Sequence, residues 1–311
     1  MMMQGSVTGY SKVEEYISEN GEGGKNVYYF SMLPDKASGE PFPFPPANSM
    51  DEFRGVLVKQ ESYKKENNQY VKVSEKANNY NFVSQNGYLI SDSLTVKARG
   101  LHFGQKVFDL CPNPGPTDQF SWKAAFYDTE TGWMKLLSDT TRSFFSNAAT
   151  SEVVTTYQYS TNSLLQSKAT TRGSYGKYQS ATFKYPSDYT IPGGTTNSRA
   201  KGILALQQLH RLSQPVELIK LVSDDGVQEK VAAGLFTAFD ETTALPDTTF
   251  VLETATLLTN FSNAAYSGGG ITIDNRYVAR ALFNRYTQAG NIEEQQMVGG
   301  APQSFIWDYS G

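Results

Sequence analysis

The chain has 311 residues and a formal net charge of -4, with 19 Tyr and 18 Phe in an aromatic share of 13% against 19% charged. That length supports one large domain or two ordinary ones, and Tyr, Phe, Thr and Val favour pleated, half-buried surfaces. An acidic balance without a Lys/Arg run argues against nucleic acid as a partner; the lone Cys111 excludes an internal disulfide framework and a multi-cysteine metal site; and no segment approaches the roughly 20 apolar residues of a membrane-spanning helix.

The opening MMMQGSVTGYSKVEEY has no charged region followed by an apolar one and does not read as a secretory signal; we expect a segment numbered from within a longer protein. VEEYI and NVYYFSM are strand candidates around the turn Glu19 to Gly24. The Pro-rich stretch Pro34 to Pro46, with Phe42 and Phe44, reads as a loop or edge crossing over the sheet, because proline removes a ladder donor. Phe53 to Tyr63 and Tyr70 to Lys76 flank a polar KKENNQ turn and predict a second hairpin. Similar strand and turn units recur at Leu101 to Leu110, Ala124 to Leu137 around Asp128 to Gly132, Val153 to Ser167, Tyr178 to Tyr185, and Val216 to Val231 around Asp224-Asp225-Gly226. Ala200 to Leu212 is the exception: Ile203, Leu206, Leu209 and Leu212 recur at near-helical spacing, and Pro215 ends the pattern. Tyr286 to Met297 reads as a hairpin about Gly290-Asn291, and Ser304 to Tyr309 as the next strand, with Phe305, Trp307 and Tyr309 on one face.

The expected fold is therefore mainly β, an antiparallel β-hairpin meander or strand spiral with one or two short helices. Three stretches are anticipated: an N-terminal hairpin segment with its Pro-rich crossover over 1–95, a central sheet segment over 96–199, and a short helix followed by hairpins over 200–311.

Three separated pieces, in this order, resemble the Bacteroidota RHS-like, YD-repeat type of large surface protein, in the region that precedes its main repeat core. They are GYSKVEEYISENGEGGKNVYYF with FPFPP and FRGVLVKQESY downstream; ATFKYPSDYT followed by the short helix and SQPVELIKL; and NRYTQAGNIEEQQMVGGAPQSFIWDYSG, the most specific of the three. Asp308 stands where the family commonly has Gly, and Tyr286-Thr287 where the repeat has a tyrosine-aspartate pair. The resemblance spans nearly the whole chain. It implies a fragment of a secreted or outer-surface protein, exported by a type IX secretion route, whose strands build a scaffold or shell around a C-terminal effector such as a delivered toxin. The partners it implies are the rest of its own larger polypeptide, with secretion machinery or outer-membrane proteins. It supplies no catalytic, cofactor or metal residues.

The residues themselves offer no catalytic constellation. His102 and His210 have no spaced carboxylate and read as packing or surface residues. There is no GxSxG, GxxxxGK[ST] or HExxH, and Gly23-Gly24 and Gly268 to Gly270 read as flexible turns. The carboxylate pairs Glu14-Glu15, Asp224-Asp225 and Glu293-Glu294 are adjacent in extended chain, so each points to opposite faces and cannot flank one glycosidic bond. Cys111 lies in a rigid Pro-rich turn with no histidine nearby in sequence. Asp92-Ser93-Leu94, Asp139-Thr140-Thr141 and Asp247-Thr248-Thr249 resemble the O-glycosylation acceptor pattern of exported Bacteroidota proteins. The expectation is a structural segment that is not an enzyme. The alternative is an adhesin or carbohydrate-binding module using exposed Trp122, Trp133 or Trp307.

Overall fold

The computed structural model describes residues 9–35, 39, 42–47, 49–81, 96–107, 120–161 and 163–307. In chain order the strands are β1 (Lys12–Tyr16), β2 (Lys25–Phe30), β3 (Leu57–Glu66), β4 (Gln69–Tyr80), β5 (Val96–Val107), β6 (Phe120–Thr131), β7 (Leu136–Phe144), β8 (Thr150–Tyr159), β9 (Gln166–Arg172) and β10 (Tyr178–Lys184). After the helix α1 (Ser198–Gln208) come β11 (Glu217–Ser223), β12 (Lys230–Phe239), β13 (Pro246–Leu252), β14 (Ala265–Ser267), β15 (Gly270–Thr272), β16 (Tyr277–Tyr286), β17 (Ile292–Met297) and β18 (Pro302–Ser304). Fourteen of them form one antiparallel sheet in which each strand pairs with the next along the chain. Two hairpins, β5–β6 and β14–β15, leave that sheet, so β4 pairs with β7 and β13 with β16. The antiparallel meander with a short helix is the fold the hairpin pattern predicts.

Residues 1–154 form one unit and 155–311 another. In the first, the turn between β3 and β4 is tighter than KKENNQ suggests. The strands run through Lys64, Lys65 and Glu66, and only Asn67-Asn68 turn, both at positive φ, the geometry that matches strand twist in a two-residue hairpin. A small core gathers Leu33, Met50, Phe53 and Val58. Beside it Arg54, 1% exposed, donates to Leu33 O and to the carboxylates of Asp35 and Asp51, which joins the Leu33–Asp35 chain to the turn at Asp51–Phe53.

The stretch around Asp128 to Gly132 is a correction to the predicted hairpin. Asp128 to Thr131 stay in β6 and pair with Val96 to Arg99, and β6 does not pair with β7. Asn81 closes the base of this excursion: its amide donates to Trp133 O (3.0 Å) and its carbonyl accepts from Lys135 N–H (2.7 Å). The Pro-rich segment meets the β5–β6 ribbon: a Cβ on Gly104 would lie 2.9 Å from Phe42 Cζ. Cys111 and Asp92-Ser93-Leu94 lie outside the described residues.

In the second unit α1 packs on the sheet with Ala200, Ile203 and Leu206 buried against Phe236 and Phe239. Asn197 caps it, accepting Ala200 N–H at 3.0 Å, and the same oxygen accepts Ile271 N–H from β15. The helix stops before the predicted Leu212. His210 adopts positive φ, Arg211 N–H bonds Leu206 O and His210 N–H bonds Gln207 O, a Schellman ending that leaves Leu209 and Leu212 exposed. His210 thus sits in a turn, not on the helix. At the far end β18 is three residues long, not the Ser304 to Tyr309 strand expected; Phe305 and Trp307 are partly exposed, Ile306 fully so, and Trp307 Nε1 donates to Ile292 O. Asp308 and Tyr309 are outside the described residues.

Candidate functional site

Three neighbouring strands carry related five-residue patterns: Lys12-x-Glu14-x-Tyr16 in β1, Lys25-x-Val27-x-Tyr29 in β2 and Lys59-x-Glu61-x-Tyr63 in β3. The period of two puts each trio on one face. Antiparallel pairing then sets lysine opposite tyrosine at both ends: Lys12 faces Tyr29, which faces Lys59, and Tyr16 faces Lys25, which faces Tyr63, which faces Lys72 of β4. The middle row runs Glu14, Val27, Glu61, Glu75 and Arg142.

The outcome is a grid in which charges and rings satisfy one another. Glu61, 4% exposed, accepts from Lys72 Nζ (2.6 Å), Tyr63 OH (2.9 Å) and Tyr29 OH (3.0 Å), with Lys59 Nζ at 3.2 Å. Lys25 Nζ binds Glu14 at 2.9 Å and lies 5.0 Å from the Tyr70 ring centre and 5.7 Å from those of Tyr16 and Tyr63. Lys72 continues to Glu75 (2.9 Å), Glu75 to Arg142 (3.1 Å) and Arg142 to Glu152 (2.8 Å). Lysine ammonium groups lie over the tyrosine rings, so these long side chains cover apolar area that a second layer would otherwise cover, and Val27 in the middle row is 2% exposed.

The electrostatics follow. Burial alone would push the Glu61 carboxyl up, but the hydrogen bonds from Lys72, Tyr63, Lys59 and Tyr29 outweigh it and hold it at about 2. Glu14 is held at about 2 by Lys12, Lys25 and Tyr16. Burial and Glu61 raise Tyr63 to about 12, and the Glu61 and Glu75 bonds overcome burial to raise Lys72. These groups keep one protonation state through neutral pH, so they offer no acid–base couple for proton transfer. What the grid does is hold strands in register.

A second polar cluster sits in the other unit. Glu217, 2% exposed on β11, accepts Ala264 N–H (2.9 Å) and Tyr277 O–H (3.0 Å), while Lys184, facing it on β10, donates to Ala264 O (2.7 Å). Both backbone groups of one residue, Ala264, are thereby clamped, and the segment carrying β14–β15 is fixed to the sheet. Burial raises the Glu217 carboxyl against the pull of Ala264 N–H, Tyr277 and Lys184. Burial, then Glu217, raise both Tyr189 and Tyr277. Glu217→Ala is expected to cost about 3 kcal/mol, since it opens a cavity and strands two buried donors. Glu217→Gln is expected to cost under about 1 kcal/mol, because its oxygen still accepts Ala264 N–H and its amide donates to a rotated Tyr277 hydroxyl. Urea denaturation separates the two; equal losses would mean that the clamp is not what the carboxylate provides.

The residues singled out from the sequence do not converge. Glu14 bonds lysines on the grid face and Glu15 bonds Tyr28 (2.9 Å), the opposite-face outcome expected of adjacent acids. Asp225 accepts Val227 and Gln228 N–H within its own turn, while Asp224 pairs with Lys177. Glu293 pairs with Arg285 and Glu294 with Asn284. His102 lies in β5. Asp139-Thr140-Thr141 and Asp247-Thr248-Thr249 lie in the paired strands β7 and β13. Gly24 is a tight position more than a flexible one: at φ +111, a Cβ there would lie 3.2 Å from Lys64 Cα. Trp122 is 69% exposed, Trp307 46%, and Trp133 half-buried. The lysines of the grid and the buried Glu217 were not anticipated; the signal for the grid was the spaced Lys and Tyr of β1 to β3.

Among the described residues no three His, Cys, Asp or Glu side chains gather so as to hold a metal, and no helix is long and apolar enough to cross a membrane. No family model matches the chain, and no curated protein matches it.

Proposed function

We propose that the chain is a structural segment of a large exported RHS-like, YD-repeat protein, in which it builds part of a β-strand scaffold on the cell surface or around a C-terminal effector. The observation that carries this reading is the strand order. A sheet of fourteen strands that pair strictly in sequence extends one hairpin at a time, with β1 and β18 as its outer strands. The Lys–Tyr–Glu grid supports it, since a sheet face stabilised by its own side chains requires no covering layer there. Its partners on this reading are the remainder of its own polypeptide, secretion machinery and outer-membrane proteins.

The test is the mass and location of the native polypeptide. Antibodies raised against this chain should detect, in secreted and outer-membrane fractions of the source cells, a species far larger than 34.4 kDa. A 34.4 kDa species confined to the cytosol would overturn the reading. A second reading, an adhesin or carbohydrate-binding module, draws on exposed Trp122 and its aromatic neighbours. Sugar recognition needs several convergent polar groups as well as rings, and the first reading is therefore the one adopted.

A further inference from the structure

Among the described residues the β5–β6 ribbon pairs only with itself, in the register Arg99 to Asp128, Leu101 to Phe126, Phe103 to Ala124 and Gln105 to Trp122. Opposed residues and alternate residues share a face, so Arg99, Leu101, Phe103, Trp122, Ala124 and Phe126 lie together. The other face is occupied. Ala125 is buried there, the Tyr127 ring lies against Gly100, and Phe42 and Pro43 lie against Gly104. The first face is bare: Leu101 is 43% exposed, Phe126 61%, Phe103 62% and Trp122 69%. A two-stranded ribbon is marginal in water without support, and a contiguous exposed apolar patch marks an interaction site.

We propose that this face docks a second copy of the same chain, ribbon against ribbon about a two-fold axis. Area argues for it. Three aromatic side chains of about 200 Å² each, some two-thirds exposed, together with Leu101, offer roughly 450 Å² per copy. Two copies bury roughly 900 Å², above most adventitious contacts and below the standard interface, which is the range of a weak, reversible pair. Shape argues for it too. Ala124 is the one small residue between Trp122 and Phe126, which stand about 13 Å apart along β6, and it leaves a notch for a ring of the partner. Chemistry disfavours other occupants. By register the charged positions of this face stand as opposed pairs, Arg99 with Asp128 and Lys97 with Glu130, so an anionic bilayer finds no net charge to attract it, and the middle of the face, Leu101, Phe103, Ala124 and Phe126, offers a sugar no hydrogen-bonding side chain.

The experiment is sedimentation velocity on the full chain over a dilution series, alongside the double variant Phe103→Ser/Trp122→Ser. The expected result is a monomer–dimer equilibrium of about micromolar midpoint, weakened at least tenfold in the double variant. An Ala124→Cys variant in a Cys111→Ser background gives a check independent of serine's effect on the ribbon; it is expected to be joined to its twin by a bis-maleimide that spans about 10 Å, the separation of packed sheet faces. A chain that stays monomeric at every concentration and fails to cross-link would overturn the proposal. So would association that persists unchanged in the double variant, or monomers whose Trp122 instead binds a glycan array or phosphatidylcholine vesicles.

Discussion

Glu61→Gln is expected to destabilise the unit of residues 1–154 by about 3 kcal/mol, one of the largest effects of any single polar substitution here. The carboxylate takes hydrogen bonds from Lys72, Tyr63 and Tyr29 and faces Lys59, and it is buried among them. A glutamine has one acceptor oxygen for four donors, and its own amide hydrogens point at ammonium groups. Lys59 would then lose its carboxylate partner in a half-buried site, and Lys72 would keep only Glu75. Removing one partner of a buried pair costs about 3 to 5 kcal/mol because the remaining charge is stranded, and the partial exposure of Lys59 and Lys72 places this case at the lower end. Hydrogen exchange at the amides of β2 and β3 reads the unit directly, without assuming that the whole chain unfolds in one step. A loss under about 0.5 kcal/mol would show that the grid is decoration on a sheet held by its backbone alone.

The same grid sets a pH dependence whose sign is fixed. Glu61 and Glu14 are held at about 2, below the ordinary carboxylate value of about 4.3. The unfolded chain therefore binds protons first as pH falls, so the stabilisation is complete above about pH 4.5 and is lost as pH drops towards about 2. Glu217 runs the other way. Its raised carboxyl means that the folded state holds the proton more tightly, so its contribution is largest at low pH and declines as pH rises above the ordinary carboxylate value. Acid titration followed by exchange at β3 and at β11 is expected to show protection falling at β3 before it falls at β11. Simultaneous loss in both strands would contradict this assignment.

The meander and the hairpins were legible because period-two alternation and turn residues are local signals. The grid's members were legible in the same way, since Lys12, Glu14 and Tyr16 must share a face of any strand. What sequence alone does not supply is register. A shift of one residue between β2 and β3 would set Lys25 beside Ser62 instead of Tyr63, and nothing within either strand forbids it. The departure of β5–β6 from the sheet was illegible for a related reason: Asp128 to Gly132 has turn composition, yet pairing with Val96 to Arg99 holds most of it extended. The helix end was missed because a histidine, not a glycine, takes the left-handed position after Leu209. Glu217 gave no signal, since a lone Glu at the start of a strand reads as solvent-facing until Ala264 and Tyr277, distant in sequence, are brought to it.

Gly202→Ala is expected to cost about 3 kcal/mol or more, against the sign of the ordinary helix preference. In an exposed helix interior the change from Gly to Ala gains about 1 kcal/mol. Here α1 lies so close to β12 that a methyl group at position 202 would fall inside contact distance of the Phe239 carbonyl oxygen and 2.7 Å from its carbon. The obstacle is backbone, not the end of a side chain that rotates away. Relief therefore requires the helix to lift, which opens gaps around Ile203, Leu206 and Phe236, each of them 1% exposed or less. The lift would also pull Asn197 from Ile271 N–H and loosen β15. Gln208→Ala, on the exposed side of the same helix, serves as the control and is expected to stay within about 0.5 kcal/mol of the parent. Urea denaturation of the three proteins decides the matter. If Gly202→Ala unfolds at the parent's midpoint or above it, the close packing of helix on strand does not set the stability of this unit, and the glycine is there for some other reason.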